Sequence, residues 1–194
     1  RYKDRYQVQI YAYCLMDNHL HLSGKLNRLE LFSDFFRVVN STFARIFNKE
    51  IKRRGQVVMD RFKSPLIQTD TDLIKVMLYI DLNPKRAQKV RHPRNNQFSS
   101  HLYYAQGLDD PLITPAPSYL ELGSTPKQRQ EVYQNLIDEI LKDDWKTKKP
   151  YSSVHFIGNP EWVVEKTKIL RKIHQEKIQE WQQRYQQRFG PMAA

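Results

Sequence analysis

Residues 13–26 read YCLMDNHLHLSGKL. Ahead of them, YQVQIYAYCLM alternates polar and apolar residues in its first half and is rich in β-branched and aromatic types, the pattern of a strand. HLHLSGKL reads as a second strand or its continuation. Residues two apart on a strand face the same side, so the pattern turns His19 and His21 together and sends Leu20 and Leu22 into the core. Two imidazoles on one face can hold a divalent ion in cis. They can equally be half-buried histidines bonded to backbone.

Outward from this stretch the period changes to that of helices. Phe32, Phe35, Phe36, Val39, Phe43, Ile46 and Phe47 recur at steps of three and four and predict one apolar helical face. That helix runs into NKEIKRRG, where cations suit the negative end of the dipole and Gly55 is the expected terminator. QVVMDRFKSPLIQT predicts a strand or hairpin arm, with Pro65 marking an edge or bulge. A helix follows over DLIKVMLYIDL, capped by Asp70, Thr71 or Asp72 and expected to stop at Asn83, because Pro84 disfavours helical geometry before it. Beyond about residue 90 the chain is loop-rich. Two later helices are expected, one with Thr125 as cap and Pro126 in the first turn, the other starting at Asn159 and Pro160 and running close to thirty residues. The second half of the last one is too polar for a core helix, so it should project or pack on a partner.

The 194 residues suffice for one domain with a core, or one plus an appendage, and 40 % hydrophobic content with 12 % aromatics predicts a folded chain. Thirty-two Lys and Arg against 21 Asp and Glu give a formal charge of +11, which favours a polyanionic partner. Cys14 is the single cysteine, excluding an intramolecular disulfide and a Cys-rich zinc site. With no signal peptide and no apolar run of membrane-spanning length, the expectation is a soluble protein of a reducing, cytoplasmic compartment that does not engage a membrane.

Two further elements bear on chemistry. In YIDLNP, Tyr79 and Asn83 are four apart and share a helix face, offering a hydroxyl and an amide oxygen. Cations including Arg45, Lys52, Arg53, Arg54, Arg61, Lys63 and Arg86 lie between the first long helix and the loop region, with Phe62, Phe98, Tyr103 and Tyr104 among them. Cations for phosphates and aromatic faces for unstacked bases suit single-stranded nucleic acid.

In order and spacing, five blocks over the first 107 residues resemble the bacterial single-tyrosine, His-hydrophobic-His transposases, above all the REP-associated tyrosine transposases. The blocks are YAYCLMDNHLHL, NSTFARIFNKEIKRRG, DRFKSPLI, YIDLNPKRAQKV and FSSHLYYAQG. SYLELGSTPKQRQEVY and FIGNPEW resemble the C-terminal part of larger members. The resemblance implies an α+β fold: a ferredoxin-like antiparallel sheet with helices on one face over 1–107, then an α-helical C-terminal extension over 108–194. It places His19 and His21 on a central strand, holding Mg²⁺ or Mn²⁺ with Asn83. Tyr79 would attack a phosphodiester of single-stranded, hairpin DNA through a 5′-phosphotyrosine intermediate, and Arg45, Lys52, Arg53, Arg54, Arg61, Lys63 and Arg86 would bind the DNA. The same resemblance implies a bacterial, cytoplasmic protein acting as a monomer or as a homodimer, some relatives of which exchange the tyrosine helix. Two other classes are weighed against this: an inactive or domesticated relative that binds hairpin DNA without cutting, and a metal phosphodiesterase that uses water.

The chain departs from the family in two places. Asp17 stands where a proline is usual, a carboxylate placed to contact the metal, a second-shell histidine or a turn. Members also carry an opening strand and helix before YAY, so the resemblance implies that this sequence starts inside or just after that helix.

Overall fold

The computed structural model describes residues 2–142 and 151–189. It is a mixed α+β chain of two compact units. Of the described residues, those up to Phe62 and from Leu73 to Lys142 form the first, and Lys63–Asp72 with those from Tyr151 onward form the second. No helix among the described residues is long and apolar enough to cross a membrane.

The first unit is organised around a two-stranded antiparallel sheet. After a short helix α1 (Tyr2–Arg5), strand β1 (Val8–Leu15) pairs with β2 (Leu20–Leu26) in a register that sets Cys14 opposite His21 and Tyr13 opposite Leu22. A bulge between Ile10 and Ala12 interrupts the ladder. Gly24 sits opposite this bulge, where a Cβ would fall 2.2 Å from the carbonyl oxygen of Gln9, so the close approach of the strands requires glycine.

Among the described residues this sheet has two strands, and β1 is the more enclosed of them. Its far edge is tied to irregular chain by Leu15 N–H to Phe98 O at 2.9 Å, Ser100 N–H to Tyr13 O at 2.9 Å and Thr114 N–H to Ile10 O at 2.7 Å. Accordingly Val8, Ile10, Tyr11, Ala12 and Cys14 are all buried. Within the sheet, β2 pairs with β1 alone. The expected burial of Leu20 is corrected, since an outer strand end leaves it 46 % exposed.

Helix α2 (Phe32–Glu50) carries the apolar face read from its periodicity, yet only its first part is enclosed: Phe35 is buried, whereas Phe43 and Ile46 are 52 % and 54 % exposed. It ends before the expected Gly55. Lys52 takes a positive φ of 53°, with Lys52 N–H on Lys49 O and Arg53 N–H on Asn48 O, the paired bonds of a Schellman end. The strand expected over QVVMDRFKSPLIQT is largely irregular chain, and only β3 (Leu66–Ile67) is extended.

Helix α3 (Asp70–Arg86) corrects two expectations. Its cap is Thr69, whose Oγ1 accepts from Asp72 N–H at 3.1 Å and donates to the Asp72 carboxylate at 2.7 Å. It also continues past Pro84 to Arg86. Proline removes the N–H that would have bonded Ile80 O. The Asn83 amide, which donates to Tyr79 O at 2.9 Å, reaches the freed Ile80 carbonyl at 3.4 Å. The helix closes in a second Schellman end, with Gln88 at φ 57°, Gln88 N–H on Lys85 O and Lys89 N–H on Pro84 O.

The interior face of α3 is fixed by a polar core. Asp81 is fully buried; its carboxylate accepts from Ser100 Oγ at 2.9 Å and Tyr133 Oη at 2.8 Å, with His101 Nδ1 at 3.5 Å. Ser100 precedes helix α4 (His101–Gln106), which supplies His101; α6 (Pro126–Lys142) supplies Tyr133, and with α5 (Pro117–Leu120) these helices build the ring cluster of Tyr104, Tyr119 and Tyr133. Thr125 caps α6 as expected, in a reciprocal pair with Gln128. In the second unit, β3 pairs in parallel with β4 (Phe156–Ile157), and Asn159 caps the 30-residue α7 (Pro160–Phe189) by accepting from Trp162 N–H at 2.8 Å.

Candidate functional site

The turn Met16–His19 closes the β1–β2 hairpin, with Met16 N–H bonded to His19 O at 2.9 Å. It holds His19 immediately before β2 and His21 inside the strand, and the two imidazoles come together. Their Nε2 atoms are 3.0 Å apart and their rings meet edge to face. His19 Nδ1 donates to Asn18 Oδ1 at 2.6 Å, which orients the ring. That is the outer-shell arrangement that orients metal-ligating histidines. An ion about 2.1 Å from two ligands at right angles keeps those ligands about 3.0 Å apart, so the separation of the two nitrogens matches that of neighbouring ligands on a small divalent cation.

His21 is the inner of the two. Burial, then the charge of His19, then that of Arg86 push its imidazole down to about 4, so it stays neutral and able to ligate near neutral pH. Beyond it lies α3: the Tyr79 ring is 6.1 Å from the His21 ring, centroid to centroid, in an edge-to-face contact. Tyr79 is half-buried on the α3 face that borders the hairpin.

Asn83 lies one turn further along α3 and is buried. Its side-chain nitrogen is committed to the carbonyls of Tyr79 and Ile80, and only an amide NH₂ can serve two carbonyl oxygens, so Oδ1 points the other way. The residue therefore combines a structural duty next to Pro84 with an oxygen of the kind Mg²⁺ and Mn²⁺ accept. Among the described residues no group of three His, Cys, Asp or Glu side chains could hold a metal ion.

Asp17 lies in the turn between β1 and β2, as one of its expected roles had it. Its carboxylate pairs with Lys89 Nζ at 2.6 Å, which holds it below the usual carboxylate range and links the histidine turn to the chain just after α3.

The cations are distributed differently from the small cluster above. Lys52, Arg53 and Arg54 are exposed on the turn after α2, where Arg53 also donates to Gln56 O at 3.0 Å; Arg45 is exposed on α2 and Arg61 on the irregular chain. Lys63 opens the second unit and is exposed. Arg86 stands at the site itself, its Cζ 4.8 Å from the centroid of the Tyr79 ring. The sequence pattern had grouped Arg86 with the other cations; the seven-residue spacing from Tyr79, two helical turns, was the signal that it shares the tyrosine's face.

Of the aromatics expected to stack on bases, Tyr104 is corrected: it is fully buried and its hydroxyl donates to Tyr11 O at 2.5 Å. Phe62 packs on Phe32 and Phe36, while Phe98 remains 55 % exposed.

Comparison with family models, with curated proteins and with solved structures returned no match.

Proposed function

We propose that the chain is a metal-dependent, single-stranded DNA transposase that cuts and rejoins DNA through a 5′-phosphotyrosine intermediate, with the β1–β2 hairpin and α3 belonging to a ferredoxin-like catalytic domain. The observation that carries this reading is the His19–His21 pair, its Nε2 atoms 3.0 Å apart, set against the ring of Tyr79. Two imidazoles on a strand have many uses, but a tyrosine beside them supplies the nucleophile that a metal-polarised phosphodiester requires.

His19, His21 and Asn83 would hold Mg²⁺ or Mn²⁺. Such an ion supplies Lewis-acid polarisation of the scissile phosphate and offsets negative charge growing in the transition state. Tyr79 Oη bonds to phosphorus as the bond to the 3′-oxygen breaks; the phenol proton passes to water, and the departing oxygen takes one up to leave as a 3′-hydroxyl. No oxidation state changes. The tyrosyl ester keeps the bond energy, so another 3′-hydroxyl can reverse the exchange without ATP. The surplus of cations, with Arg45, Lys52, Arg53, Arg54 and Arg61 exposed, supports a polyanionic partner, which the family resemblance makes hairpin DNA in a bacterial cytoplasm. Lys63, in the second unit, is assigned the same role. Monomer, homodimer and exchange of the tyrosine helix all fit this reading.

One observation favours the non-cutting, hairpin-binding relative: the Asn83 amide nitrogen already serves the α3 backbone, a duty it would keep without any metal. Cleavage of a labelled hairpin oligonucleotide with Mn²⁺ separates the readings. The transposase reading predicts cleavage that Tyr79→Phe abolishes. Cleavage that survives Tyr79→Phe would mean hydrolysis by water, and binding without cleavage would mean the DNA-binding relative.

A further inference from the structure

Arg86 occupies a place that the general surplus of cations does not explain. A cation in the last turn of a helix offsets the dipole there, and Lys85 and Arg86 both lie in that turn. Arg86 also lies over the ring of Tyr79, with its Cζ 4.8 Å from the centroid. The ring of Tyr79 thus meets Arg86 as well as the His21 ring. A cation–π contact engages the face of a guanidinium, while its five N–H donors lie in its plane and match the oxygens of a phosphate. A metal held by two neutral imidazoles and an amide would still leave the equatorial oxygens of an attacked phosphate in need of donors.

We propose that Arg86 is a catalytic residue of this site: packed on Tyr79, it donates to a non-bridging oxygen of the phosphodiester that Tyr79 attacks. The proposal rests on the reading of Tyr79 as the nucleophile. Arg86 forms and breaks no covalent bond; it holds the phosphate in line with the phenol and stabilises charge that develops on it. Removing one such preorganised donor from a reacting centre costs about 100-fold in rate. Lysine keeps the charge but loses the planar fork, so it should recover only part of that loss.

The test compares Arg86→Met and Arg86→Lys with the unaltered chain in two measurements. The first is the rate of covalent adduct formation on saturating hairpin DNA with Mn²⁺, beside hairpin affinity on a native gel. Arg86→Met should slow the adduct about 100-fold while affinity changes less than about tenfold, and Arg86→Lys should fall between. An Arg86→Met rate within about threefold of the unaltered chain would overturn the proposal and leave the nucleophile reading standing. The second needs no cleavage: the ring signal of Tyr79 in tyrosine-labelled protein, assigned by its loss in Tyr79→Phe, is followed by NMR during titration with inorganic phosphate. It should shift in the unaltered chain and stay still in Arg86→Met. If no DNA adduct ever forms but the phosphate response depends on Arg86, the anion site stands and the transposase reading fails. If neither adduct nor response is seen, both fail.

Discussion

His19 and His21 point their Nε2 atoms at each other across 3.0 Å, with the outer imidazole held by Asn18 and the inner one against Tyr79. Their different surroundings give them different duties. His19 is exposed and oriented by a neighbour, while His21 is sheltered and kept neutral.

The first prediction concerns that neutrality. His21 should titrate at about 4, against an ordinary value of 6.5, when its ring is followed by NMR in metal-free protein. His19→Ala should raise the midpoint, because it removes one of the neighbouring charges. The sign for stability follows: a histidine whose folded pKa is lowered leaves the unfolded chain to bind the proton first, so its contribution is intact above about 6.5 and is lost as pH falls toward about 4. A midpoint at the ordinary value would place His21 in open solvent.

Asn83 should carry two separable roles. Replacing it with Ala removes the donor to Tyr79 O and Ile80 O and should cost about 1–2 kcal/mol in urea unfolding. The same variant should bind Mn²⁺ at least about tenfold more weakly by calorimetry. A stability loss with unchanged Mn²⁺ affinity would make Asn83 a backbone prop beside Pro84 and nothing more.

The Asp81 network sets the rotation of α3 and should behave as one unit. Tyr133→Phe deletes a donor to a fully buried carboxylate and should cost about 1–3 kcal/mol. Asp81→Ala should cost about 3–5 kcal/mol, and the two losses should fall short of additive in the double variant. Burial and the Asp81 carboxylate also hold the Tyr133 phenol well above its usual range, so it should stay protonated throughout the range in which the protein is folded. Additive losses would mean that Tyr133 and Asp81 act independently.

Asp17 offers a contrast. Its pair with Lys89 is exposed at both ends, where solvent and salt screen the attraction. Asp17→Ala should leave the unfolding midpoint unmoved at physiological salt. A clear fall would show that the pair braces the histidine turn.

What was legible in the sequence follows from how local each cause is. The β1–β2 hairpin, the caps at Thr125 and Asn159 and the pairing of the two imidazoles come from periods and residues a few positions apart, and the structure has them. The end of α3 was misread because the penalty on the residue before proline was weighed alone; the repair by the Asn83 side chain needs a three-dimensional helix to be seen. Tyr104 looked like a base-stacking aromatic because composition does not tell which face of α4 meets β1. Asp81 could have been found: an acid in the middle of the apolar run MLYIDL is a buried carboxylate in search of donors, though its partners at Ser100 and Tyr133 lie 19 and 52 residues away. The burial of Leu20 failed for a similar reason, since alternation names two faces but not which of them is covered.

The most direct measurement of the central claim uses hairpin DNA carrying its label on either side of the cut, mixed with the protein and Mn²⁺ and run on a denaturing gel. The account predicts a slow band that contains the label 3′ to the cut, needs the metal and is absent with Tyr79→Phe. Cleaved DNA with no such band, or a band that persists in Tyr79→Phe, would contradict it.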